Sequence, residues 1–443
     1  MKVLILGSGI SGRSASDYLR KIDYETVFAE KELLNENFNF TEKKLDRLFS
    51  GLSFIVISPG ISKNIPFVKL AKKRKIKVLS ELELGTRKMK SDIIAVTGTN
   101  GKTTTVSLIY FLLKGSEKKS FVGGNIGIPV TSFSQKTTKY DIVVLECSSF
   151  QLETTTKFKP HIACILNITE DHLNRHKTMK TYIREKYKIA KNLTSNDYLL
   201  LNYDSEILMN NPPKTKAKIM YFSTRKKVVG CYVKSGSIYF NDNQIEKKLV
   251  PIKNLKLVGE HNLSNVLCAC LAVFLETKNE NLLHAAIEFQ GVEHRIEYVK
   301  TIAGISFYND SKATNIDSTL VAIASFKQKI NLILGGSDKG YDFGKIFEKL
   351  SKKVQNIAVF GETKQKILQS AQKFNFKNIY SCENLKEATN LCFKLASPGD
   401  VVLLSPACAS FDQFSCYEER GNIFKKIVGE IDNENNFSAS EKT

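Results

Sequence analysis

No apolar run in this chain of 443 residues approaches the length that a bilayer span needs. The N-terminus also lacks the basic region, apolar stretch and cleavage site of a secretory leader, and enters a strand-like run, Lys2–Leu6, at once. The two absences predict a cytoplasmic protein without membrane insertion. No C-x-x-C spacing occurs. The nine cysteines are scattered and odd in number, with Cys268 and Cys270 the closest pair, which argues against a zinc cage or disulfide framework. They read as small apolar core residues. Internal repeats and low-complexity linkers are missing too. Acidic residues are the scarcer charge, 45 Asp and Glu against 65 Lys and Arg, for a formal net charge of +20. Such an excess can mark nucleic-acid binding. Here the lysines are spread over the whole length among many Asn, Ile and Phe, which is the pattern of solvated faces. The basic run Lys72–Lys77 reads the same way. No nucleic-acid partner is expected, although a positive field also attracts anionic substrates.

What is present is enough to fold. Hydrophobic residues make up 42%, which fills ordinary cores and excludes a disordered chain. At roughly 150 residues per domain the length suggests about three domains. Three blocks each alternate strand and helix, the signature of mostly parallel sheets in an α/β fold. The first, residues 1–90, has strands at Lys2–Leu6, Thr26–Glu30 and Phe54–Ser58. The second, residues 91–291, has strand Ile93–Val96, helix Thr103–Leu113, and strands Ile142–Glu146 and Ile162–Asn167. Its polar stretch Asn211–Val250 alternates weakly and reads as a small β excursion. The third, residues 292–443, has strands Ile330–Leu334, Asn356–Phe360 and Val401–Leu404. Asn433–Thr443 is polar and predicts a frayed tail.

Two glycine loops carry the strongest local signals. The run Thr97-Gly98-Thr99-Asn100-Gly101-Lys102-Thr103-Thr104 follows a strand and opens a helix. Glycines let backbone N–H groups face a phosphate, and the helix N-terminus adds partial positive charge. Lys102 would reach the outer phosphates of ATP, and the Thr103 hydroxyl would hold Mg²⁺. Val96 stands where the strict motif has its first glycine, so this is a shortened phosphate loop. The other loop, Gly7-Ser8-Gly9-Ile10-Ser11-Gly12 with Glu30 on the next strand, reads alone as a dinucleotide fingerprint. Its physics requires only a diphosphate at a helix N-terminus and an acid at a sugar or base, so a UDP group satisfies it as well as NAD. An NAD-dependent oxidoreductase would leave the second loop idle. A nucleic-acid-binding P-loop ATPase would explain the charge, and should show nucleic-acid-stimulated ATPase activity.

Acids and a histidine gather near the second loop. Glu146 ends an apolar strand one strand away, placed to hold Mg²⁺ directly or through water; the plain alternative is a solvated strand-end acid. The next strand ends in Asn167-Ile168-Thr169-Glu170-Asp171-His172. Strand ends at this edge of a parallel sheet converge on the ligand crevice, where His172 could meet a metal or a phosphate. Nothing in the bare sequence marks Lys186 in Tyr182-Ile183-Arg184-Glu185-Lys186.

Together these residues resemble the Mur ligase family over nearly the whole chain. The resemblance rests on Gly98–Thr104, Gly123-Gly124-Asn125-Ile126-Gly127, Glu146–Gln151, Asn167–Arg175 and Gly259-Glu260-His261-Asn262-x-x-Asn265. In the third block it rests on His294-Arg295, Asn309–Asn315 and Gly335-Gly336-x-Asp338-Lys339-Gly340. The run Ser405–Phe414 is similar to the D-glutamate-adding branch. The resemblance implies three domains on mostly parallel sheets: Rossmann-like, P-loop ATPase-like, and Rossmann-like again. It implies a monomer that binds the UDP substrate in the first domain, ATP in the second and the amino acid in the third.

It also implies roles. Ile10, Ser11, Glu30, Ser58, Asn125 and His172 would contact the UDP substrate, UDP-MurNAc-L-Ala. Gly98, Thr99, Asn100, Gly101, Lys102, Thr103, Thr104, Asn262, Asn265, Arg295 and Asp310 would bind ATP. Lys312, Thr314, Lys339, Ser410, Phe411 and Tyr417 would bind or orient D-glutamate. Two Mg²⁺ ions would use Thr103, Glu146, His172 and a CO₂-derived carbamate on Lys186. Lys102, Glu146, His172, Lys186 and Lys312 would be catalytic, through an acyl phosphate. Two positions depart from the family pattern: Glu30-Lys31 stands where many relatives have Asp followed by Ser, Thr or Arg, and Tyr417 where Phe is common.

Overall fold

A computed structural model of the chain describes residues 1–29 and 42–440. Continuous Val, Ile and Leu runs form strands covered on both faces, as parallel sheets require. Ile142–Glu146 and Val401–Leu404 are buried at every position. Among the described residues three sheets result. The first has four parallel strands in the order Glu25–Phe28, Lys2–Leu6, Leu52–Ile57, Val78–Ser80. The second has nine, in the order Glu246–Pro251, Ser237–Asn241, Gly230–Lys234, Lys218–Ser223, Tyr198–Asn202, Ile162–Ile165, Asp92–Thr97, Ile142–Glu146, Ser120–Gly124. Its first two pairings are antiparallel, so that Ser237–Asn241 runs against its neighbours on both sides, and the rest are parallel. The third runs Glu297–Ile302, Ile305–Asn309, Val401–Leu404, Ile330–Gly335, Val354–Phe360, Ile379–Ser381, with only the first pair antiparallel.

The expected α/β class and parallel sheets are present. The weakly alternating stretch after Asn211 is β as expected, and its strands extend the central sheet. The expected frayed tail is a correction. Helix Tyr417–Ser440 runs on past Asn433 as far as Ser440, because Phe424, Ile427, Val428 and Ile431 bury its first turns and propagation costs little once a helix is anchored. All nine cysteines are free, and eight are buried. Among the described residues no helix is long and apolar enough to cross a membrane.

The chain forms two compact units. One holds Met1–Leu255 with Ser264–Ile287, and so contains both the first and the central sheet. The other holds Lys256–Leu263 with Glu288–Thr443. In each unit the chemistry-bearing loops leave the carboxyl ends of parallel strands, where open α/β sheets bind ligands.

Candidate functional site

The central phosphate loop follows strand Asp92–Thr97 and opens helix Lys102–Leu113. Gly101, at φ 84, caps the helix; a Cβ there would lie 2.3 Å from Asn265 Oδ1, so only glycine admits Asn265 onto the loop. Braces come from farther along the chain. Asn167 Oδ1 accepts from Asn100 N at 2.9 Å, and Asn167 Nδ2 donates to Asn100 O at 3.1 Å. The Thr99 hydroxyl lies 3.2 Å from the Tyr182 hydroxyl and accepts from Thr169 N at 3.0 Å. The Lys102 amine curls back to Gly98 O at 2.9 Å and Thr99 O at 2.7 Å. Thr103 and Thr104 are buried at the helix start.

Lys186 lies on helix Met179–Tyr187 and is buried. Its amine donates to Gly98 O at 2.6 Å and sits 4.6 Å from the Tyr182 ring centroid. Burial, and next the Lys102 charge, hold it well below the ordinary lysine range. Glu146 is buried, not a solvated strand-end acid. Its Oε1 accepts from Asn125 Nδ2 at 2.9 Å, and its Oε2 is buried with no hydrogen-bond partner. Gly124, at φ 97, permits this approach: a Cβ would fall 2.3 Å from Glu146 O. His172 has a left-handed backbone (φ 53), its ring 4.8 Å from that of Phe150. Behind it the buried His176 lies 3.0 Å from Ser149 Oγ.

On the first sheet, Ile10 is exposed and Ser11 half-buried at the start of helix Ile10–Arg20. The Ser58 hydroxyl donates to Gly7 O at 3.3 Å. Glu30 lies outside the described residues. A cleft of about 810 Å³ is lined by Gly60, Ile61, Phe150, His172, Arg175 and others. One unit thus holds Ile10, Ser11, Ser58, residues 98–104, Asn125, Glu146, His172, Lys186 and Asn265.

The other unit holds Asn262, Arg295, Asp310, Lys312, Thr314, Lys339, Ser410, Phe411 and Tyr417. The expected ATP residues are therefore divided between the units. Asn262 is buried, its Nδ2 donating to Val258 O at 2.8 Å. Arg295 lies between His294 (φ 62) and Ile296 (φ 45), a reversal that is strained for a β-branched residue. Ile296 N donates to Asp310 Oδ1 at 3.2 Å, and the Ser405 hydroxyl to Asp310 Oδ2 at 2.7 Å. Burial pushes the Asp310 carboxyl up to about 7. The Lys312 amine lies 5.1 Å from the Tyr417 ring centroid. Thr314 N donates to Lys312 O at 2.9 Å. Ser410 is buried, Phe411 is 73% exposed, and Lys339 is exposed in its glycine turn.

Arg420 was not legible as a site residue, yet it ties these loops together. It is fully buried and donates to Ser311 Oγ at 3.0 Å, Ser311 O at 2.7 Å, Cys408 O at 3.1 Å and Ala409 O at 3.1 Å. Burial lowers its guanidinium to about 10. Ser337 N adds a 2.9 Å bond to Ala409 O, joining the glycine turn to the same assembly. The bracing roles of Asn167 and Tyr182 were not legible either, although both stand in quoted runs: Asn167 lies just past an apolar strand end and Tyr182 on helix Met179–Tyr187.

The two strand-edge systems have counterparts. A sequence profile of the Mur ligase middle domain matches residues 96–273, and one of the Mur ligase, glutamate ligase domain matches residues 294–408. The UDP-N-acetylmuramoylalanine--D-glutamate ligase of Thermoanaerobacter pseudethanolicus is 41% identical over 448 residues, covering 97% of this chain and 98% of that protein. Among solved structures, the UDP-N-acetylmuramate-alanine ligase MurC of Thermotoga maritima has TM-score 0.59 at 18% identity, covering 97% of this chain and 99% of that one. The MurF ligase of the same organism, in complex with ADP, has TM-score 0.58 at 17% identity, covering 86% and 90%. The structural likeness is one of fold; the sequence identity over nearly the full length goes further, and by it the chain belongs to the Mur ligase family, in the branch of the UDP-N-acetylmuramoylalanine--D-glutamate ligases.

Proposed function

We propose that this chain is an ATP-dependent amide ligase that adds D-glutamate to UDP-N-acetylmuramoyl-L-alanine, in peptidoglycan precursor synthesis in the cytoplasm. The observation that carries the chemistry is a buried carboxylate oxygen without a partner, on Glu146, in the same unit as a phosphate loop gripped by two lysines. The name shared by full-length relatives supplies the substrates, and the ADP bound to a ligase of this fold supports the nucleotide. In this reading the protein is a monomer whose residues 1–90 bind the UDP group, 91–291 ATP, and 292–443 D-glutamate.

A Mg²⁺ ion needs oxygen ligands. Glu146 Oε2 and the Thr103 hydroxyl fit it, with His172 at the rim. Lys186 as an amine does not fit, because an ammonium offers donors only. Its amine can add to CO₂, forming an N–C bond and losing one proton, and the resulting carbamate supplies two oxygens. Only a neutral amine reacts in this way, and burial favours the neutral form. Bound Mg²⁺ would neutralise charge crowding between two anions.

The substrate carboxylate attacks the γ-phosphate of ATP, and ADP leaves. Residues 98–104 cradle the phosphates, and Lys102 follows the transferring group. Asn262, Asn265, Arg295 and Asp310 hold the remainder of ATP. Ile10, Ser11, Glu30, Ser58, Asn125 and His172 hold the UDP substrate. Lys312, Thr314, Lys339, Ser410, Phe411 and Tyr417 orient D-glutamate, whose amine attacks the acyl phosphate and expels phosphate. The test is amino-acid-dependent phosphate release across D-glutamate, L-glutamate, L-alanine and a diamino acid. D-glutamate should support the fastest turnover; a faster rate with L-alanine or the diamino acid would assign the chain to another Mur activity.

A further inference from the structure

Glu185 stands next to Lys186 on helix Met179–Tyr187. Neighbours on a helix point about 100° apart, and these two leave in different directions. Lys186 reaches Gly98 O on the phosphate loop. Glu185, with a side chain 1% exposed, meets the Lys63 amine at 2.7 Å, from the loop that follows strand Leu52–Ile57. Its other oxygen lies 2.6 Å from the Lys188 amine. Lys188 also donates to Glu153 O at 2.5 Å, Glu153 Oε2 accepts from Arg175 at 3.0 Å, and Arg175 donates to Ile61 O at 2.6 Å. The circuit therefore closes on the loop where it began. That loop starts at Ser58, whose hydroxyl donates to Gly7 O of the first glycine loop. A chain of polar contacts thus links the loop held against the first glycine loop to the residue beside Lys186, and its Lys63, Glu153 and Lys188 belong to none of the motifs.

We propose that Lys63 is a positioning residue: its ion pair with Glu185 sets the place of Lys186 according to whether the Ser58 loop holds the UDP substrate. The inference rests on the roles given to Lys186 and Ser58 in the proposed function. It implies reciprocity, since whatever substrate does for the Lys186 carbamate, the carbamate does for substrate by the same factor. The pair can be cut cleanly. Without Lys63, Glu185 keeps Lys188 and also Arg184, at 3.3 Å, so no buried charge is stranded.

The intact protein is titrated with ¹³C-bicarbonate without ATP, and the carbamate carbon is read by ¹³C NMR with and without UDP-MurNAc-L-Ala. In the wild type, substrate should lower the bicarbonate midpoint roughly fivefold or more. Lys63→Met should form the carbamate but lose the shift, and Lys63→Arg should restore it. Should Lys63→Met not fold, Glu185→Gln must show the same loss. A merely structural Lys63 would lower the thermal midpoint of the methionine variant and keep its substrate-induced shift. Equal shifts in wild type and Lys63→Met would overturn the proposal and leave the carbamate standing. A wild type with no carbamate signal would remove the reading of Lys186, and the coupling with it.

Discussion

The two glycine loops of the first unit leave the carboxyl ends of parallel strands, yet they are held by different means. The first is closed mainly by its own residues. A Cβ on Gly12 would fall 1.9 Å from Gly7 O, and one on Gly7 would fall 2.8 Å from Ser58 Oγ. Arg13 Nε donates to Ser8 O at 2.8 Å, and Ile10 projects into solvent. The second is braced from outside, by Asn167, Thr169, Tyr182, Lys186 and Asn265. A loop shaped by its own glycines shows its form in a short motif. A loop shaped by distant side chains shows only its chemistry there, and its rigidity is written elsewhere in the chain.

Substitutions should separate the two loops by size of effect. Lys102→Ala should lower phosphate release by on the order of 10³-fold, with the fold retained, because a charge on the transferring phosphate is lost; near-normal turnover would take Lys102 out of the mechanism. Lys186→Ala should be nearly inactive, and added acetate should restore part of the rate by filling the vacated oxygen positions. Full activity without acetate would exclude a carbamate there. Asn167→Ala removes both bonds to Asn100, a loss of roughly 1–3 kcal/mol. It should appear as a higher KM for ATP, with the KM for the UDP substrate unchanged in steady-state kinetics. Arg13→Ala should have the smallest effect, about 0.5–1 kcal/mol, confined to the UDP substrate. If it matched Asn167→Ala in size, the contrast between self-held and braced loops would fail.

Much of the fold was open to reading. Strand Asp92–Thr97 and helix Lys102–Leu113 lie within a residue of their expected bounds, since an apolar run bounded by glycine carries its own ends. The tail was misread because composition says nothing of the packed turns before it, which let a polar helix continue. At the site, the position of Glu146 was legible and its buried, unpartnered oxygen was not, for burial depends on Gly124 and Asn125 arriving from another strand. Lys186 is one lysine among many until the fold lays it on Gly98 O. Lys63 and Glu185 form a pair across 122 positions of sequence, a separation at which no periodicity helps.

Arg420 grips the third-sheet loops almost wholly by their main chain: three of its four acceptor atoms are carbonyl oxygens. Every amino acid supplies the same carbonyl. The side chains at 408 and 409 are thus free to be exchanged, within the limits of space, without loosening the clamp, whereas Ser311 contributes its hydroxyl and cannot be replaced so cheaply. If the proposed D-glutamate site lies on these loops, the residues they display could be varied and their path kept, provided the guanidinium beneath them stays.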